Sequence, residues 1–199
     1  MHILQINASI RGGDANSTQL ADALVKQLLS NHTDSNLQVR NLGHDPHPPI
    51  DGQALQALFT EAEQRTPEQT ARVAMDDALI AELQQADTLV LAVPMYNFGI
   101  PAQLKSWFDA IARAGVTFRY TEQGPEGLLK GKKVYVTLAR GGIYRDTPND
   151  SQVPYLKAIL GFLGMTDIEW IYAEGLAMGA DKADKAMKDA HAHIQSLFA

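Results

Sequence analysis

At 199 residues the chain suits one α/β domain, long enough to bury a core without disulfides or a structural metal. It has no cysteine, which excludes a disulfide framework, thiolate metal sites and cysteine nucleophiles. A formal net charge of -6 with no long basic run argues against nucleic-acid or anionic-membrane partners, and no window reaches the roughly 18 apolar residues that span a bilayer. The N-terminus lacks the basic and apolar regions of a signal peptide, so a cytoplasmic location is the expectation.

Residues 3–8 form the first short apolar run, and 88–93, 134–139 and 168–173 form three more; near-continuous apolar character over that length predicts strands buried on both faces. After the first run, residues 17–29 carry Leu20, Leu24 and Leu28 at a spacing of four and predict a helix. A weaker run, 37–42, predicts an edge strand. Residues 44–50 are Pro-rich and predict a surface loop. A helix over 67–85 is predicted from Thr66 as cap, Pro67 in the first turn, and Ala71, Met75, Ala78, Leu79 and Leu83 on one side. Helices over 101–112, with Leu104, Trp107, Phe108 and Ile111, over 148–163 and over 180–197 complete the set. An aromatic, Gly-rich excursion at 116–131 precedes the fourth buried run and has the length of a functional loop. Regular alternation of strand and helix predicts a parallel sheet with helices on both faces.

In such a sheet, ligands bind beyond the carboxyl ends of the strands. The first strand ends in Asn7-Ala8-Ser9-Ile10-Arg11-Gly12-Gly13-Asp14-Ala15-Asn16-Ser17-Thr18. Loop amides and first-turn amides of the next helix suit an anion; Ser9, Asn16, Ser17 and Thr18 can add hydrogen bonds and Arg11 charge. The same residues also suit an ordinary cap and turn, and Asp14 is compatible with a phosphate only if it faces water. The segment is neither a Gly-x-Gly-x-x-Gly fingerprint nor a Walker loop, which leaves a mononucleotide, with FMN one candidate. Ala8-Ser9 and Pro94-Met95 at two strand ends do not match a phosphoacceptor receiver, and a small cysteine phosphatase would need a cysteine.

The third strand ends in Pro94-Met95-Tyr96-Asn97-Phe98-Gly99-Ile100-Pro101. Met95, Tyr96 and Phe98 suit a flat apolar ring and Asn97 its polar edge, although the aromatics also suit packing on neighbouring helices. The fourth strand ends in Ala139-Arg140-Gly141-Gly142-Ile143-Tyr144, where paired glycines let a backbone approach a planar ligand and point amides at it; a plain Gly-Gly turn has the same signature.

Taken together these loops resemble the FMN-dependent NADH:quinone oxidoreductase family, whose members are often called azoreductases. The resemblance runs nearly end to end. It is carried by Pro94-Met95-Tyr96-Asn97-Phe98, Lys105-Ser106-Trp107-Phe108-Asp109, Arg113-Ala114-Gly115-Val116-Thr117-Phe118-Arg119-Tyr120-Thr121, Gly124-Pro125-Glu126-Gly127-Leu128, Arg140-Gly141-Gly142, Tyr155-Leu156 and Leu160-Gly161-Phe162-Leu163-Gly164. It implies one domain over 1–199: a three-layer, doubly wound flavodoxin-like α/β fold with a five-stranded parallel sheet of order 2-1-3-4-5. It further implies a homodimer with one non-covalent FMN per subunit near the interface. Turnover would be ping-pong, with NADH or NADPH reducing FMN and a quinone or azo compound reoxidising it.

On that resemblance Ser9, Ala15, Asn16 and Ser17 meet the phosphate, with Arg11 beside them. Pro94, Met95, Tyr96, Asn97 and Phe98 meet the isoalloxazine, and Ala139, Arg140, Gly141 and Gly142 its other edge. Phe98, Phe118, Tyr120 and Phe162 resemble the aromatic substrate pocket, some donated across the dimer. Two departures stand out: Ala139 where the family commonly has Ser, and Ala15-Asn16-Ser17 where it often has Ser-Gln-Ser. If a hydroxyl at either place carries a hydrogen bond, FMN affinity falls about tenfold, or roughly 1.4 kcal/mol.

No catalytic acid or base is nominated, because the flavin carries the hydride and solvent can deliver protons. No metal is expected: His44 and His47 sit in the Pro-rich loop, and His191 and His193 do not share a helix face. Trp107 reads as core, Ser106 lacks a nucleophile-elbow context, and the mixed charges of 181–189 read as a solvated face. A flavodoxin-like electron carrier and a free-flavin reductase are the competing readings. The physiological acceptor and the choice of NADH or NADPH stay open.

Overall fold

A computed structural model describes residues 1–199. Five parallel strands form the central sheet: β1 (His2–Asn7), β2 (Asn36–Asn41), β3 (Thr88–Pro94), β6 (Lys133–Ala139) and β7 (Asp167–Ala173), in the order β2-β1-β3-β6-β7. This is the expected 2-1-3-4-5 pattern, with two further strands intervening in sequence. β4 (Phe118–Thr121) and β5 (Gly124–Gly127) pair antiparallel as a separate hairpin inside the 116–131 excursion.

The alternation of side chains along each strand explains the buried runs. Leu89, Leu91 and Val93 of β3 face one core with Leu83, Trp107 and Leu156. Val90 and Ala92 face the other with Leu20, Leu24 and Ile194. The first core lies under α3 (Pro67–Gln85), α4 (Ala102–Ile111) and α5 (Gln152–Leu163); the second lies under α1 (Asn16–Asn31) and α6 (Ala180–Ser196). β2 is the largely exposed edge strand the weak run predicts. Trp107 is fully buried, and Asp181, Lys182, Asp184, Lys185, Lys188 and Asp189 face solvent.

Three expectations need correction. First, α3 starts as predicted, with Thr66 and Gln69 forming a reciprocal capping box and Pro67 beginning the helix. Its buried face is Val73, Asp76, Leu79, Ile80 and Leu83, however, whereas Ala71, Met75 and Ala78 are exposed. The inward stripe contains a carboxylate, which a search for apolar periodicity passes over. Second, His47 is not on the surface. It is buried and shares a 2.7 Å hydrogen bond with Asp76 through Nε2. Arg72 also donates to that carboxylate, and Arg113 lies 3.5 Å from its other oxygen. Burial alone would raise the Asp76 pKa; the hydrogen bonds from His47 and Arg72 outweigh it and hold the carboxyl below its ordinary value. Only His44 of the pair stays exposed. Third, the Pro-rich loop leads into an unpredicted helix, α2 (Gly52–Phe59), capped by Asp51, whose carboxylate accepts from Ala54 N at 2.8 Å.

The start of α5 also differs from the expected position 148: residues 148–151 remain a loop, and Asp150 accepts from Val153 N at 3.1 Å. The hairpin docks on the far end of α5, where a methyl group built on Gly127 would lie 2.0 Å from Gly164 N.

Candidate active site

The ends of β1, β3, β6 and β7 converge on one cavity of about 250 Å³. It is lined by Ser9, Arg11, Ala15, Asn16 and Ser17 from the first loop, Pro94, Met95 and Tyr96 from the second, Ala139, Arg140 and Gly141 from the third, and Leu176 and Ala177 from the fourth. The fold thus brings together most of the residues selected from sequence. Asn97, Phe98 and Gly142 lie on the same loops but do not line this cavity.

The polar floor of the first loop is built for an anion. Helix α1 has Ala15 as its N-cap, so no side chain caps its first turn, and the amides of Asn16, Ser17 and Thr18 have no partner in the chain. The Ser17 and Thr18 hydroxyls are buried and equally unpartnered. Unpaired buried donors are costly and rare, so their clustering at a helix N-terminus fits a phosphate. Ser9 is tied to the ring loop: its Oγ and the Tyr96 hydroxyl are 3.0 Å apart, Ile10 N donates to the same phenol at 3.3 Å, and Arg11 N donates to Ser9 Oγ at 3.2 Å. Asp14 is exposed in a short turn, Gly12–Asp14.

The third loop presents donors as well. The carbonyls of Arg140, Gly141 and Gly142 accept from Leu176, Ala177 and Gly175 at 3.1, 3.0 and 2.9 Å, which turns them toward the β7–α6 loop. The Gly141 and Gly142 amides have no intrachain acceptor. Arg140, selected with its neighbours, contributes only backbone here. Its side chain is fully buried and bound to Asp150, Glu174 and Gln152. Arg11, which is exposed, is therefore the cation left to face an anion at the cavity.

The aromatic set divides. Phe118, Tyr120 and Phe162 cluster, with ring centroids 5.5 Å apart for Phe118–Tyr120 and 4.3 Å for Phe118–Phe162. Phe118 is buried in the core and Tyr120 is 75% exposed, so Tyr120 is the member open to a ligand. Phe98 instead meets Tyr144 edge-on at 5.5 Å. Sequence reasoning missed Leu176 and Ala177, which line the cavity; applying the strand-end rule to the fifth strand would have found them.

These features define a flavodoxin-like α/β protein with a donor-lined cavity at the carboxyl ends of its strands. The family model described as flavodoxin-like fold matches residues 1–198. Over 199 residues, and 100% of both chains, the sequence is 67% identical to the FMN-dependent NADH:quinone oxidoreductase of Dechloromonas aromatica (strain RCB). It is 61% identical, again over 100% of both chains, to the enzyme of that name from Aromatoleum aromaticum (strain DSM 19018 / LMG 30748 / EbN1). Its structure matches that of an FMN-dependent NADH-azoreductase from Bacillus anthracis str. Ames Ancestor in complex with FMN, at a TM-score of 0.89, 28% identity and 100% coverage of each chain. The chain belongs to the family of FMN-dependent NADH:quinone oxidoreductases.

Proposed function

We infer that this chain is an FMN-dependent oxidoreductase that uses NADH or NADPH to reduce quinones to hydroquinones and aromatic azo compounds to amines, by ping-pong turnover in a cytoplasmic homodimer. The observation that carries the reading is the convergence of otherwise unpaired donors on one cavity: the Asn16 and Ser17 amides and the Ser17 hydroxyl at one end, the Gly141 amide at another. Bound FMN supplies acceptance and donation of a hydride, which no side chain here can do. Ser17 and the α1 amides hold the phosphate, with Arg11 adding charge. Pro94, Met95 and Tyr96 support the ring. The Gly141 amide would donate toward the edge where electron density builds on reduction, and a donor fixed there would stabilise it.

Ile10, Phe98 and Ile143, one from each of three strand-end loops, are exposed, as is Tyr120 on the hairpin. Apolar side chains so placed support covering by substrate and by a partner subunit. No helix is long and apolar enough to cross a membrane.

The test is steady-state oxidation of NADH at several fixed quinone concentrations. Ping-pong turnover gives parallel double-reciprocal lines; intersecting lines contradict it. Bound FMN without turnover favours an electron carrier, and loss of FMN during gel filtration favours a free-flavin reductase.

A further inference from the structure

The turn after β3 has an unfavourable backbone. Tyr96 and Gly99 exchange both backbone hydrogen bonds, each 3.0 Å, and close a two-residue loop. Its inner residues, Asn97 and Phe98, have φ values of 48° and 68°. Two successive positive φ values make the geometry of a type I′ turn, which favours Asn followed by Gly. Asn97 suits its place. Phe98 does not, because a bulky side chain in left-handed backbone is strained, and such strain persists only where surroundings hold it.

The holding groups come from residues 150–152. Gln152 is fully buried. Its Nε2 donates to Pro94 O at 2.9 Å and to Gly99 O at 3.2 Å, two carbonyls that bracket the turn. Its Oε1 accepts from Arg140 Nε at 3.0 Å. The amide can point only one way, since two carbonyls need a donor and the guanidinium needs an acceptor. Arg140 is itself held by both oxygens of Asp150, at 3.0 Å each, and by Glu174 at 3.1 Å. Ser151 Oγ donates to Phe98 O.

We propose that Gln152 is a positioning residue for the redox site: it clamps the strained 96–99 turn to the β6 loop and so fixes Asn97 and Phe98 relative to bound FMN. This rests on the functional reading above. Glutamine is needed because glutamate would turn an acceptor onto two carbonyls and add a third carboxylate beside Arg140, while alanine removes the partner of Arg140 Nε and the side-chain donor to Pro94 O, and leaves Gly99 O with only its bond from Tyr96 N.

The experiment titrates apoprotein with FMN by quenching of flavin fluorescence, alongside NADH:quinone kcat and KM and the apoprotein melting temperature. It uses wild type, Gln152→Ala, Phe98→Gly and the double variant. Gln152→Ala is expected to weaken FMN binding about tenfold and to raise quinone KM. In the Phe98→Gly background, where the turn is relaxed, the same change should alter FMN binding by less than about threefold. A role in core stability alone would move the melting temperature but leave the binding effects additive. Additive effects, or Gln152→Ala binding FMN within about twofold of wild type, overturn the proposal. Should Gln152→Ala not fold, the exposed end of the clamp decides: Ser151→Ala with about twofold to threefold weaker FMN binding supports it, and an unchanged value overturns it. Wild type that binds no FMN overturns the functional reading itself, whereas wild type that binds and turns over beside unaffected variants overturns only the clamp.

Discussion

Ser17 places a fully buried hydroxyl at the start of α1 with nothing in the chain to bond to. Removing it costs the free protein no intrachain bond but, on the proposed reading, would take a donor from the phosphate. Ser17→Ala should therefore weaken FMN binding about tenfold while the apoprotein melts at or slightly above the wild-type temperature, measured by flavin titration and calorimetry. Ala139 is the converse case: a methyl lines the cavity where a hydroxyl could add a donor, so Ala139→Ser should tighten FMN by up to about tenfold. Asp76 is a residue of stability rather than of the site. Its folded-state pKa lies below its ordinary value, so its contribution is complete above the ordinary carboxylate range and fades as pH falls through the folded value. Asp76→Asn should cost on the order of 3 kcal/mol near neutral pH, or roughly 6 to 12 °C in Tm, and the gap to wild type should close as the pH drops below about 4. The chemical identity of Ser17 was legible in the sequence because a strand-to-helix loop names its own neighbours. The burial of His47 was not, because its partner Asp76 lies 29 residues away on another element. The fate of the Arg140 side chain was hidden for the same reason, since its partners come from 150, 152 and 174.

Elements meet the site through close backbone approaches. Gly43, just after β2, has no room for a side chain: a methyl there would lie 2.0 Å from the carbonyl oxygen of Ser9. Gly43→Ala must push the first strand-end loop aside, and FMN binding should weaken about tenfold or more, with a smaller change in melting temperature. The strand-end loops were readable because buried parallel strands such as β3 advertise themselves as short apolar runs, and ligands in such sheets bind at the loops just beyond them. The hairpin was not. β5 is Gly-Pro-Glu-Gly, a composition that reads as a turn, and it becomes a strand only by pairing with β4 and lying against α5. Helix α2 begins at a glycine and runs only 8 residues, too short for periodicity to declare it. The α3 face was misjudged by roughly one position because Asp76 sits in the middle of the inward stripe.

At the scale of the whole molecule, a five-stranded sheet with two cores serves to fix four loops around one cavity. The two halves of the site are joined by side chains, Ser9 with Tyr96 on one side and Gln152 with Pro94 and Gly99 on the other. On the proposed reading the cofactor would bind to a frame rather than to separate loops, and little reorganisation should accompany binding. Motifs along the sequence were enough to indicate the family, because each site loop is short and contiguous; the frame was not, because it consists of contacts between loops. The most direct test of the account is the visible spectrum of the purified protein before and after anaerobic NADH, then after a quinone. The account predicts flavin bands that bleach with NADH and return with the quinone. A colourless protein that takes up no added FMN would contradict it.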